Sequence, residues 1–207
     1  MNMMSDHGII LIASFRHKPG MAQFPLHTRA TAPFEAKPIL DQAGQTMGYV
    51  PALLAQMAEA PALLEGYAAL SAIFRKAAFT PAEQQLVLLT VSVEHESHYC
   101  TPAHTVRARE AALDEDAIAA IRAGRPIADA RLEALRLFTV KMIRERGFLA
   151  DADIDAFVAA GFTRANAMEI ILAVGLKTLS NYVNHIAETP LDPHLVADAM
   201  PGERRVA

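Results

Sequence analysis

From Pro33 onward the chain is punctuated for helices nearly throughout, and no alternating strand pattern interrupts them. Pro51 to Ala60 and Pro61 to Ala78 each open on a proline, which suits a first helical turn. Thr80-Pro81-Ala82-Glu83 reads as a capping box: Thr80 caps, Pro81 starts the helix, and Glu83 returns to the cap amide. Behind it, Leu86 to Val93 is apolar on almost every face, as a central buried helix would be. Further helices are predicted from near Cys100 to Ala112, from an Asp114 cap to Gly124, and over Arg131–Arg146. Two more follow, over Asp151–Ala160 and from a Thr163 cap to about Ala187, where Pro190 intervenes. Val91, Val93, Val174 and Val183 sit inside helical patterns and do not argue for strands. The residues after Pro190 read as a loop able to wrap a neighbouring subunit.

This is an all-α pattern. At 207 residues it is read as an irregular extension over 1–30 and one helical domain over 31–207. Met21 is an alternative start within that extension. A faint repeat at an offset of 83 pairs Phe79, Thr80 and Tyr99 with Phe162, Thr163 and Tyr182, between two apolar helices. Met57, Met142 and Met168 read as core filler.

Composition excludes several function classes. There is one cysteine, Cys100, so neither an intramolecular disulfide nor a multi-cysteine zinc site can form. A net charge of -4 lacks the basic excess of a nucleic-acid or anionic-membrane surface. No apolar run approaches the roughly 20 residues of a membrane span. Ile9 to Phe15 lacks a basic lead and is followed by Arg16, His17 and Lys18, unlike a signal peptide, so the expected location is the cytoplasm. No phosphate-binding glycine loop, dinucleotide fingerprint or nucleophile elbow is present, and no cofactor is implied. His95-Glu96 opens like a zinc-protease motif, but Tyr99 stands where the second histidine belongs.

The chemistry-bearing stretch is Glu94-His95-Glu96-Ser97-His98-Tyr99-Cys100-Thr101-Pro102-Ala103-His104. Pro102 is tolerated only in a first turn, so a helix begins between about His98 and Thr101. Cys100 then lies at a helix N-terminus, where unpaired amides and the dipole favour a thiolate. His104, four residues on, shares its face and is placed to act on the thiol. Ser97 is in reach of the same sulfur. Set against this is a buried, inert cysteine. A metal set of Glu94, His95, His98 and His104 is a weaker alternative.

The stretch resembles the core motif of the alkylhydroperoxidase D-like (AhpD-like) and carboxymuconolactone decarboxylase superfamily, Cys-x-Tyr-Cys-x-x-x-His behind a lead-in helix. Here it stands as Ser97-His98-Tyr99-Cys100-Thr101-Pro102-Ala103-His104. Glu83 to Ser92 and Asn181 to Ala187 resemble the family's flanking helices, and similarity spans about residues 22 to 195. The resemblance implies an AhpD-like bundle of about eight to nine helices, assembled as a homo-oligomer (dimer, trimer or hexamer). It implies a thiol peroxidase: Cys100 attacks the peroxide and His104 relays the proton. Ser97 fills the resolving-cysteine slot and Gln85 the slot of the relay glutamate. An amide cannot relay a proton as a carboxylate does, so Glu94 is the expected substitute, with Glu83 committed to its capping box. Asn184 and His185 approach the cluster, with packing as the simpler reason for them.

Three functions follow. The first is one-cysteine reduction of hydroperoxides, with Cys100, His104, Ser97 and Glu94 as the site and an external thiol as reductant. The second is a non-redox, decarboxylase-like enzyme using His104 and Glu94. The third is a binding or assembly protein that has lost its activity.

Overall fold

Capping chemistry sets the helix boundaries. The computed structural model describes residues 24–199, and among these there are nine α-helices and no strands. They are α1 (Lys37–Met47), α2 (Ala52–Met57), α3 (Pro61–Phe74), α4 (Pro81–Glu94), α5 (Cys100–Glu110), α6 (Glu115–Arg122), α7 (Ala130–Arg144), α8 (Asp151–Ala159) and α9 (Arg164–Ala187). The capping box forms as read: Glu83 Oε2 accepts from the Thr80 amide at 2.8 Å, and Thr80 Oγ1 accepts from the Glu83 amide at 3.3 Å. Asp114 caps α6, Asp129 caps α7, and Thr163 caps α9.

Two boundaries and two placements differ from the sequence reading. α2 stops at Met57 and α3 at Phe74. The reason for the second lies across the fold. The Ala78 amide donates to the Glu169 carboxylate at 3.0 Å, and the Ala78 carbonyl accepts from Asn166 Nδ2 at 3.0 Å. These contacts hold residue 78 outside the helix and dock the start of α4 against the start of α9. Met168 is 68% exposed on α9 and is not core, whereas Met57 and Met142 are buried. The residues after Pro190 form a 3-10 helix, Pro193–Asp198, that packs on α5 of its own chain. The extension lies mostly outside the described residues, Met21 included. Its last part is tied down, with the His27 amide donating to the Ala55 carbonyl at 3.1 Å.

Two apolar clusters adjoin at α3, α5 and α9, each of which contributes to both. The larger surrounds α4, which buries Leu86 to Ser92 without a break. It includes a stack of Phe138, Phe157 and Phe162, with ring centroids 4.1 and 4.6 Å apart. The second joins α1 and α2 to Tyr99, Cys100, Val183 and Leu195. No single described helix is long and apolar enough to cross a membrane. One pair passes that test jointly, α8 with α9, but it is bent by 108°.

Candidate active site

The turn between α4 and α5 builds the site. Glu96 adopts the left-handed conformation at φ 52°, and the Ser97 amide donates back to the Ser92 carbonyl at 3.0 Å. This is the ring closure of a Schellman-type helix end. The chain then re-enters helix at Cys100, with Pro102 at the third position, where a missing amide costs no helical bond. Cys100 is thereby set at the first turn of α5, 2% exposed.

Ser97 and Asn184 hold this position. Ser97 Oγ accepts from the Cys100 amide at 3.3 Å, so it satisfies a free donor of the helix start. Asn184 Nδ2 donates to Ser97 Oγ at 3.1 Å and to Cys100 Sγ at 3.0 Å. Packing is therefore not the only reason for Asn184. His185, its neighbour, is exposed and stacks on Tyr182 instead.

His104 does not face the sulfur alone. Its Nδ1 lies 2.9 Å from Gln85 Oε1, and its Nε2 lies 3.0 Å from Lys177 Nζ. An amide oxygen only accepts, so Nδ1 carries the proton and Nε2 accepts from the lysine. Lys177 and Cys100 line the same cavity, and the charge of one acts on the other. Gln85, His104 and Lys177 thus form a hydrogen-bonded row on the cavity that Cys100 also lines. Burial, then the charges of Lys177 and Arg107, hold His104 well below the usual histidine range, which keeps the ring neutral as this tautomer requires. Burial likewise lowers Lys177 from the ordinary lysine value, against the pull of Cys100. Tyr67, close by, is pushed up to about 12 by burial and by Cys100.

Cys100, His104 and Lys177 all reach the wall of one cavity of about 620 Å³, bounded by α1, α2, α3, α5 and α9. Its walls are mixed, with apolar Ile39, Leu53, Leu54, Ala103 and Val106 beside polar and charged side chains. Cys100 is buried but faces this space.

Glu94 is not brought to the site. Both its oxygens are taken by Arg144, at 2.7 and 3.0 Å, and it does not line the cavity. Glu94 ends α4 on the side facing α7, where Arg144 holds it away from the expected site. The alternative metal set also disperses. His95 pairs with Asn181, and His98 pairs with the Thr189 carbonyl. Among the described residues no group of three or more histidine, cysteine or acidic side chains is placed to hold a metal.

Sequence reasoning missed Lys177. The available signal was a lysine in the middle of a long apolar helix, since lysine is almost never fully buried unless it is partnered. It is 1% exposed here.

The all-helical scaffold sets a cysteine at a helix start, a histidine one turn on and a cavity over both, and its fold is like that of AhpD-core proteins. The sequence agrees: residues 58–141 match the Carboxymuconolactone decarboxylase family model, a span that holds Gln85, Cys100 and His104 but neither Lys177 nor Asn184. This match, together with the structural likenesses that follow, supports the AhpD-like and carboxymuconolactone decarboxylase superfamily. Among solved structures, it resembles an AhpD-core, uncharacterized peroxidase-related protein from Ralstonia eutropha. The TM-score is 0.76 at 19% identity, over 84% of this chain and 93% of that one. A peroxidase-related protein from Silicibacter gives a TM-score of 0.72 at 20% identity, over 86% and 95%. A form of the debrominase Bmp8 in complex with 2,3,4-tribromopyrrole gives 0.68 at 16% identity, over 85% and 95%. No curated protein matches the chain in sequence.

Proposed function

We propose that this chain is a one-cysteine thiol peroxidase that reduces hydroperoxides. The observation that carries the reading is Lys177, set between Cys100 and a neutral His104 at the wall of a cavity. Lys177 takes the thiol proton and holds the thiolate as a buried ion pair, with Asn184 Nδ2 as a second donor to the sulfur. The thiolate attacks the peroxide oxygen, an S–O bond forms, and the O–O bond breaks. Sulfur is oxidised to a sulfenic acid, and the leaving alkoxide takes a proton from the Lys177 ammonium. His104 Nε2 accepts from Lys177 and aims it, while Gln85 fixes the His104 tautomer.

With no second cysteine in the chain, two external thiols return the sulfenic acid to a thiol, releasing water and their own disulfide. A working thiol of this kind suits the reducing cytoplasm. Met168, Ile171, Tyr182 and Ile186 are exposed apolar residues along α9, which supports a second copy of the chain covering that face.

The test is anaerobic. Reduced protein treated with cumene hydroperoxide loses its thiol titre one for one, and a sulfenic-acid trap labels Cys100. A Cys100 rate no faster than free cysteine ends the reading. Cys100→Ser separates the decarboxylase-like alternative, in which turnover of a lactone or β-keto acid survives the substitution. The resemblance to Bmp8 makes 2,3,4-tribromopyrrole a useful competing electrophile.

A further inference from the structure

Arg107 lies on α5 and lines the same cavity as Cys100. Cys100, His104 and Arg107 are spaced by four and three residues, so they share one face of the helix. Seven residues at 1.5 Å rise put the backbone positions of Cys100 and Arg107 roughly 10 Å apart along the axis. Ala103, Val106, Leu53 and Leu54 supply apolar wall around them.

The Arg107 side chain makes no hydrogen bond or ion pair among the described residues. Its charge nonetheless acts on four cavity groups, Tyr49, Tyr67, His104 and Lys177. The charged side chains on the cavity wall are Arg75, Arg107, Lys177 and one acid, Glu110. Arg75 is engaged with Ser71 Oγ at 3.3 Å. The cavity therefore has one reactive end at Cys100, apolar wall beside it, and the exposed Arg107, in no ion pair among the described residues, with Glu110 one turn on.

We propose that Arg107 selects the substrate: it binds the carboxylate of an organic hydroperoxide acid whose O–O group reaches Cys100 across about 10 Å of apolar chain. The inference rests on the thiol reading above and deepens it. The redox step is unchanged. The hydroperoxide is reduced to the hydroxy acid, Cys100 becomes a sulfenic acid, and the carboxylate stays on Arg107 throughout.

Two measurements test it, and only one depends on peroxide chemistry. In the first, octyl hydroperoxide is compared with its terminal-carboxylate counterpart as oxidant of Cys100. The wild-type protein prefers the carboxylate by about tenfold or more, as a charge-assisted bidentate pair allows. Arg107→Gln collapses that ratio toward one, Arg107→Lys restores part of it, and Arg75→Gln changes it less than Arg107→Gln does. In the second, octanoate shields Cys100 from the neutral alkylating agent iodoacetamide in the wild type but not in Arg107→Gln. A wild-type ratio near one, an unchanged ratio in Arg107→Gln, or equal octanoate protection in both proteins overturns the proposal. Shielding by octanoate without any peroxide oxidation of Cys100 leaves the anion site standing and removes the peroxidase reading. Thermal melts of each variant confirm that it is folded.

Discussion

Lys177 Nζ lies 3.0 Å from His104 Nε2, joining the middle of α9 to the second turn of α5. The bond decides how the cluster can handle protons. Because Nδ1 donates to Gln85, the imidazole is neutral and can only accept at Nε2. In the proposed peroxidase reading the lysine is the group that exchanges a proton with the sulfur, and the histidine orients it.

Lys177→Met tests this directly. The substitution keeps the volume and removes the ammonium. Peroxide reactivity of Cys100 is expected to fall by about 10²–10⁴-fold, the usual worth of a positioned proton donor. Stability is expected to hold or rise, because a buried charge is replaced by an apolar chain. Stopped-flow oxidation together with a thermal melt separates the two effects. Unchanged reactivity removes Lys177 from the mechanism.

Gln85→Glu restores a carboxylate at the His104 Nδ1 side. An anion accepting from Nδ1–H favours the imidazolium, so the His104 titration is expected to move upward. Histidine NMR resonances followed against pH report the shift directly. A titration that stays in place shows that Gln85 does not set the histidine's state.

His104 also gives the fold an acid sensitivity. Its folded value lies well below the ordinary 6.5, so the unfolded chain binds the proton more tightly. The stability it contributes is complete above about pH 6.5 and is lost as pH falls below that, at roughly 1.4 kcal/mol per pH unit until the folded value is reached. Melts of the wild type and of His104→Gln between about pH 7 and pH 5 should differ in slope, with the variant flatter. Parallel slopes contradict a buried neutral His104.

Tyr99→Phe addresses the C-terminal segment. The Tyr99 hydroxyl donates to Asp192 Oδ2 at 2.5 Å, while Asp192 Oδ1 accepts from the Ala52 amide at 3.1 Å. One buried carboxylate thus ties the residues after α9 to both α5 and α2. Removing the hydroxyl leaves an oxygen without its donor, at a cost of about 1–3 kcal/mol. A melting temperature lower by several degrees is expected at this chain length. A wild-type melting curve for the variant contradicts a role for this bond in stability.

Local chemistry was legible wherever neighbours in sequence are also partners in space. The Thr80 and Glu83 box, the Asp114 and Thr163 caps, and the start of α5 near Pro102 are all contacts within a few residues. The end of α3 was not legible, because residue 78 is held by Asn166 and Glu169, about ninety positions away. Glu94 failed as a site residue for the same reason: sequence distance placed it near Ser97, but Arg144 on α7 claims it.

By itself the sequence determined an all-helical chain and the helix start that carries Cys100, with His104 one turn on. It also settled that a lone cysteine cannot close an internal disulfide. The tertiary structure decided what surrounds that cysteine. α9 meets the motif only on folding, when Asn184 reaches the sulfur from 84 residues away and Lys177 reaches His104 from 73. A buried charge is tolerated where partners meet it, and those partners lie on other helices, so no local pattern can announce them.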